Sequence, residues 1–240
     1  MVVRGLVLSR EKAQRLIMAG QVRLNGHPAS KPSQSVKPDD EIQVLEGEKF
    51  VSRGGQKLDA ALERFGVPCK DRVCLDLGAS TGGFTDCLLQ RGARRVFSVD
   101  VGENQIAWKL RSDPRVTVLD DTNARNLKPD MLGEAPDLVT ADVSFISLTK
   151  VLPAAVACAR PGADFVVLIK PQFEAGRGKV EHGGVVRDPG VHRQVIESVR
   201  SFAEEKLNAE WRDVMESPIQ GPAGNREFMA HFVMKLRNRG

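Results

Sequence analysis

The sequence predicts an α/β protein: a mostly parallel, seven-stranded sheet covered by helices on both faces, preceded by a small α+β module. Three observations carry this. From about residue 57 onward short apolar runs alternate with helical periodicities, a glycine-rich turn follows the first of those runs, and positive charge is concentrated at the N-terminal end. The 240 residues suffice for one large domain with an appendage, and a 41% hydrophobic content for a packed core. The chain totals +4, but residues 1–38 hold seven basic side chains (Arg4, Arg10, Lys12, Arg15, Arg23, Lys31, Lys37) against Glu11, a net +6. The remainder is therefore slightly acidic, an asymmetry that points to a nucleic-acid-facing end.

Other classes are excluded by what the chain lacks. The longest apolar runs, such as 165–169, fall far short of the ~20 residues that cross a bilayer, and no signal-peptide core opens the sequence. A cytoplasmic protein without a membrane partner is expected. The cysteines at 69, 74, 87 and 158 form no C-x-x-C pair and have no histidine at metal spacing, so neither a disulfide frame nor a metal site is expected. They read as small buried residues. The histidines at 27, 182, 192 and 231 fall in loop or surface contexts and receive no role.

Along the chain, Ser9 can cap a helix through Ala19, with Ala13, Leu16 and Ile17 on one face and Gly20 as its stop. A strand at 21–24, the turn Asn25-Gly26 and a closing strand at 41–45 complete the module. Residues 46–56 interrupt the periodicity, which places the domain boundary near 48–52 and divides the chain into 1–47, a linker 48–56 and 57–240. A helix over 57–65 stops at Gly66. Strands follow at 73–77, 96–99, 116–119, 138–141 and 165–169, with helices from Gly83 and over 147–159. A long helix from Pro189 to about Leu207 precedes strands near 211–217 and 227–236.

In such a sheet ligands bind at the carboxyl ends of the strands. The first strand runs into Asp76-Leu-Gly-Ala-Ser-Thr-Gly-Gly-Phe-Thr85. Its glycines at 78, 82 and 83 do not give G-x-G-x-x-G, since Ser80 stands where the second glycine would admit a pyrophosphate, and no P-loop lysine follows. A carboxylate at Asp76 disfavours a dianionic cofactor and favours S-adenosylmethionine, which carries a sulfonium and an ammonium. Asp100, ending the next strand, can accept ribose hydroxyls. Asp120, Asp121 and Asn123 offer acceptors for an adenine amine.

Residues 9–26, Ser-Arg-Glu-Lys-Ala-Gln-Arg-Leu-Ile-Met-Ala-Gly-Gln-Val-Arg-Leu-Asn-Gly, closely resemble the S4 RNA-binding domain, whose first helix would here be short or missing. The resemblance implies phosphate contacts from Arg4, Arg10, Lys12, Arg15 and Arg23. The second domain resembles class I methyltransferases of the FtsJ-like ribose 2′-O type. Together the two resemble the TlyA (hemolysin A) family in Val-Ser-Arg-Gly-Gly-Gln-Lys-Leu (51–58), the 76–85 turn, Ala-Asp-Val-Ser-Phe-Ile-Ser-Leu (141–148), Ile-Lys-Pro-Gln-Phe-Glu (169–174) and Gly-Asn-Arg-Glu-Phe (224–228).

That resemblance implies an S-adenosylmethionine-dependent enzyme methylating a ribose 2′-hydroxyl, of cytidine in 16S and/or 23S ribosomal RNA, with ribosomal subunits as partners. It maps a catalytic tetrad onto Lys57, Asp142, Lys170 and Glu227. It maps the cofactor contacts onto Asp76, Gly78, Ser80, Thr81, Gly82, Gly83, Phe84, Asp100, Asp120, Asp121, Asn123 and Asp142. Position alone singles out Asp142 and Lys170, which end apolar strands at the ligand edge. Lys170 either takes the hydroxyl proton or stabilises the developing alkoxide. Phe84 and Phe145 are expected in the core, with stacking on a base as the alternative. The glycine-rich segment 174–188 is expected to be a substrate loop or merely a mobile one. The competing functions are a membrane-active cytolysin, suggested by the hemolysin name, and a non-catalytic RNA-binding assembly factor.

Overall fold

The computed structural model describes residues 1–45, 49–181 and 183–236 and divides into two compact units, Met1–Lys49 and Phe50–Gly240. Residues 46–48, at the expected junction of the first domain and the linker, His182 and residues 237–240 lie outside the described residues.

In the first unit, helix α1 (Arg10–Met18) starts where Ser9 accepts a hydrogen bond from the Lys12 N–H. Strand β1 (Val22–Leu24) pairs antiparallel with β2 (His27–Pro28) and, on its other edge, with β3 (Ile42–Val44). The turn between β1 and β2 holds Asn25 and Gly26 at φ +52° and +80°, the doubly left-handed geometry that asparagine and glycine tolerate best. Asn25 also accepts from Glu41 N–H and donates to Asp40, locking the turn onto the strand opposite. The two-residue β2 is too short to show a periodicity and went unpredicted. Residues 1–9 form turns with no helix. The Arg4 guanidinium donates to the carbonyls of Lys37, Pro38 and Asp40, so this expected phosphate contact is a brace within the module.

The second unit opens with α2 (Gly54–Phe65), which begins three residues before the expected start and takes residues 54–56 out of the linker. Packing explains the shift. A Cβ on Gly55 would lie 2.3 Å from the buried Phe50 ring, so only a glycine lets the chain coil there. Then follow β4 (Val73–Leu77), α3 (Gly83–Gln90), β5 (Arg95–Val99), α4 (Trp108–Arg111), β6 (Val116–Leu119), β7 (Leu138–Ala141), α5 (Leu148–Cys158), β8 (Asp164–Ile169), α6 (Pro171–Glu174), α7 (Pro189–Lys206), β9 (Ala209–Glu216) and β10 (Phe228–Met234).

Seven strands form one sheet in the order β6-β5-β4-β7-β8-β10-β9, with β10 antiparallel to both neighbours. Alternate residues feed two cores, as the two-residue strand period requires. Leu75, Leu77, Phe165 and Val167 face the cluster under α5 and α7, while Cys74, Val166 and Leu168 face the one under α2 and α3. All four cysteines are buried, and none is in a disulfide among the described residues. The strand order reverses between β4 and β7, which opens a crevice at their carboxyl ends.

His192 and His231 are buried rather than superficial. The first bonds the Val186 carbonyl through Nε2; the second pairs with Asp164 and stacks on Phe65 at 5.6 Å.

Candidate active site

The crevice holds a cavity of about 330 Å³, lined from five places: the loop after β4, the ends of β7 and β8, the start of α2 and the turn before β10. Gly78 is at φ +78°, and a Cβ there would sit 2.6 Å from the Asp142 carbonyl, so glycine lets the two loops touch. Gly83 plays the matching part on the other wall, where a Cβ would lie 2.3 Å from Ser52 Oγ. Ser80, without that licence, is also left-handed at φ +48°, and its N–H donates to Asp100 Oδ2 at 2.8 Å. The loop is thus tied to β5 by a carboxylate.

The four charged residues of the expected tetrad all line the cavity, and they arrive as two ion pairs. Lys57 Nζ donates to Glu227 Oε2 at 2.5 Å across 170 residues of chain, and Lys170 Nζ lies 2.6 Å from Asp142 Oδ1. Lys57, Lys170 and Glu227 are each less than a tenth exposed. Charges so far from water persist only when paired, which is why each lysine meets a carboxylate. Lys170 also donates to Ser144 Oγ at 2.8 Å, a cavity residue that sequence reasoning missed along with Ser52 and Arg53. A serine or arginine beside a glycine-rich stretch carries no local signal of its own.

The expected cofactor residues divide. Gly78, Ser80, Thr81, Gly83, Phe84 and Asp142 line the cavity, with Phe84 buried as well. Gly82, at φ +96°, stands behind the wall, where a Cβ would meet Leu110 at 2.3 Å. Asp100 does not line the cavity; its carboxylate accepts from the Ser80 and Gly102 N–H groups and so supports the loop that does. Asp120 is taken by Arg111 (2.5 Å), Asn123 caps a short turn at Ala124–Asn126, and Asp121 stands exposed; none of the three lines this cavity.

Asp76 departs most from expectation. It is fully buried, accepting from Thr85 Oγ1 at 2.7 Å and Thr140 Oγ1 at 3.1 Å, and does not line the cavity. Its place is a strut inside the sheet. Burial pushes its carboxyl up to about 7, the threonine hydroxyls only partly opposing. A carboxyl whose folded pKa exceeds its unfolded 3.8 holds its proton more tightly when folded, so folding releases none and unfolding does. Stability should therefore fall as pH rises from about 4 to about 7, by up to ~1.4 kcal/mol per pH unit. Urea midpoints of wild type and Asp76→Asn at pH 5, 6 and 7 check this; equal slopes for the two would remove the assignment.

Phe145 also departs from expectation. It is 90% exposed at φ +63°, leaning on Phe173 at 5.1 Å, and so lies outside the core. A left-handed phenylalanine is strained, and such strain collects at functional sites. Below it, Glu174 accepts from Ser147 Oγ and Leu148 N–H, joining the end of α6 to the start of α5; burial raises its pKa. Part of the 174–188 segment is tethered too, since Asn225 accepts from Val186 N–H and donates to the Gly184 carbonyl.

A seven-stranded sheet with this order and one reversed strand, carrying a glycine loop and charged residues at its switch point, defines a class I methyltransferase. The family model for FtsJ-like methyltransferase matches residues 50–234, and that for the S4 domain matches residues 1–42. The chain belongs to the FtsJ-like methyltransferase family, in its S4-bearing TlyA/hemolysin A branch. It is 50% identical over 95% of its length, and 85% of the relative's, to "16S/23S rRNA (cytidine-2′-O)-methyltransferase TlyA" of Mycobacterium tuberculosis. "Hemolysin A" of Brachyspira hyodysenteriae is 42% identical over 96% of both chains. Among solved structures, a putative hemolysin from Streptococcus thermophilus superposes with a TM-score of 0.77 at 42% identity, covering 96% of this chain and 84% of the other. No described helix is long and apolar enough to cross a membrane.

Proposed function

We propose that this methyltransferase transfers a methyl group from S-adenosylmethionine to the 2′-hydroxyl of a cytidine ribose in ribosomal RNA. The observation that carries the reading is the gathering of Lys57, Asp142, Lys170 and Glu227 around one cavity beside a glycine cradle. The residues present fit the cofactor: Gly78 and Gly83 let the loop after β4 close against Asp142 and Ser52 to form the cavity wall, and Asp142 places a carboxylate on that wall, where a cationic molecule gains from it. When bound, S-adenosylmethionine supplies an electrophilic methyl group.

The chain's own groups do the rest. Lys170, held by Asp142 and Ser144, faces the hydroxyl and stabilises the charge that develops on its oxygen as the proton leaves. Lys57, fixed by Glu227, orients the ribose, and tight placement supplies much of the acceleration. Phe145 offers an exposed ring on which the target base stacks once drawn from its helix.

Methyl transfer from labelled cofactor to ribosomal subunits lacking the modification, followed by mapping of the product nucleotide, tests the reading. Label on a cytidine 2′-oxygen is expected; label on a base, or none, would overturn it. Arg10, Lys12, Arg15 and Arg23 are exposed on the first unit and suit phosphate contacts. Lys12→Ala and Arg15→Ala should each lower the slope of log affinity against log salt by about 1. Filter binding across a salt series measures this, and unchanged slopes would move RNA docking elsewhere.

A further inference from the structure

We infer that Ser144 is a positioning residue for the methyl transfer, setting the direction in which Lys170 presents its remaining hydrogen or lone pair to the substrate hydroxyl. The inference rests on the function proposed above and adds to it a residue outside the charged tetrad.

The lysine amine is tetrahedral. Lys170 Nζ has three directions besides its own carbon. One is taken by Asp142 Oδ1 at 2.6 Å and a second by Ser144 Oγ at 2.8 Å. With two of three fixed, the third is fixed as well. It serves equally for an ammonium hydrogen that stabilises an alkoxide and for an amine lone pair that accepts a proton. The Phe173 ring lies 6.0 Å from Nζ to its centroid. With Asp142 alone, the amine could still turn about that single contact, because a lysine head is a compact charge on a flexible stem.

Ser144 is well placed to hold it. It follows Asp142 by two residues at the end of β7, so both anchors of Lys170 come from one short segment. That segment is itself tied down, as Asp142 N–H donates to the Leu77 carbonyl and Glu174 grips Ser147 and Leu148. Ser144 lines the cavity while remaining exposed, and its hydroxyl, having accepted from Lys170, still has a hydrogen to donate towards the substrate.

The test compares Ser144→Ala and Ser144→Thr in the full-length protein by single-turnover methylation of unmodified ribosomal subunits, with cofactor affinity measured by calorimetry. Ser144→Ala should slow the chemical step by about 10- to 100-fold, the usual effect of losing a hydrogen bond to a charged group. Cofactor Kd and the KM for subunits should stay within about twofold, because the lost contact acts in the transition state. Ser144→Thr should recover the rate to within about threefold. Independently of methyl transfer, ¹⁵N NMR of the Lys170 side chain, assigned with Lys170→Arg, should show hydrogen exchange at Nζ at least about tenfold faster in Ser144→Ala than in wild type or Ser144→Thr.

A single-turnover rate for Ser144→Ala within twofold of wild type would overturn the inference, as would unchanged Nζ exchange or failure of threonine to restore function. Failure of the wider reading would look different. Wild-type label on a base would dismiss ribose methylation, while the exchange measurement would still decide whether Ser144 holds Lys170.

Discussion

Lys170→Ala should lower turnover by about 10²- to 10⁴-fold while leaving S-adenosylmethionine binding within about threefold of wild type. The contrast follows from where Lys170 sits. It ends β8, is less than a tenth exposed, and directs its Nζ to Asp142 and Ser144 rather than into the glycine loop. A group that meets charge only as the substrate oxygen loses its proton contributes little to binding the cofactor beforehand. Asp142, left alone, is about a fifth exposed at its side chain and can take up water, so the fold should survive. Calorimetry and single-turnover methylation measure the two quantities on one preparation. Near-normal transfer by the variant would end the assignment of Lys170 to the chemistry, and a large loss of cofactor affinity would reassign it to binding.

Glu227→Ala should destabilise the second unit by about 3–5 kcal/mol, because it strands Lys57 as a buried charge without its partner. Glu227 is 1% exposed and Lys57 7%, so neither can turn to water without opening the wall between α2 and β10. The double variant Lys57→Met with Glu227→Leu separates stability from function. Replacing both charges with apolar side chains of similar size should restore most of the lost stability, yet turnover should stay abolished. Urea denaturation and methyl transfer on the two variants provide the check. If the double variant regained activity, the pair would be a fold element alone; if Glu227→Ala kept full stability, the burial of the pair would be misjudged.

These expectations depend on features that were unequally visible in the sequence. Most element boundaries were legible because the energies that set them are local. The Ser9 cap, the Asn25-Gly26 turn, Gly66 at φ +66° and the Asp188 cap ahead of Pro189 each act within a few residues. The start of α2 was missed because glycines at 54 and 55 read as loop, and only the Phe50 ring lying over Gly55 shows why they coil. The placing of Asp142 and Lys170 at the ligand edge was legible too, since a polar residue ending an apolar strand marks its exit from the sheet.

Pairing was harder to read. That Lys57 meets Glu227 is a fact about α2 and β10 lying side by side, and nothing near residue 57 refers to residue 227 except a family pattern. Ser144 and Glu174 were passed over for a similar reason: each matters through a neighbour that the chain brings back only after folding.

The sequence by itself determined the α/β alternation, the separation of a basic N-terminal module from a slightly acidic remainder, and the residue types available at the strand ends. Tertiary structure alone decided which of those residues face the cavity. Asp76 and Asp142 are both acids near the carboxyl ends of apolar strands, yet one is a buried strut bonded to Thr85 and Thr140 and the other partners Lys170. Phe84 and Phe145 both follow strand ends, yet one is buried and the other 90% exposed. Local sequence sets backbone preference, but burial depends on which neighbours occupy the two faces of the sheet. Those neighbours come from distant parts of the chain.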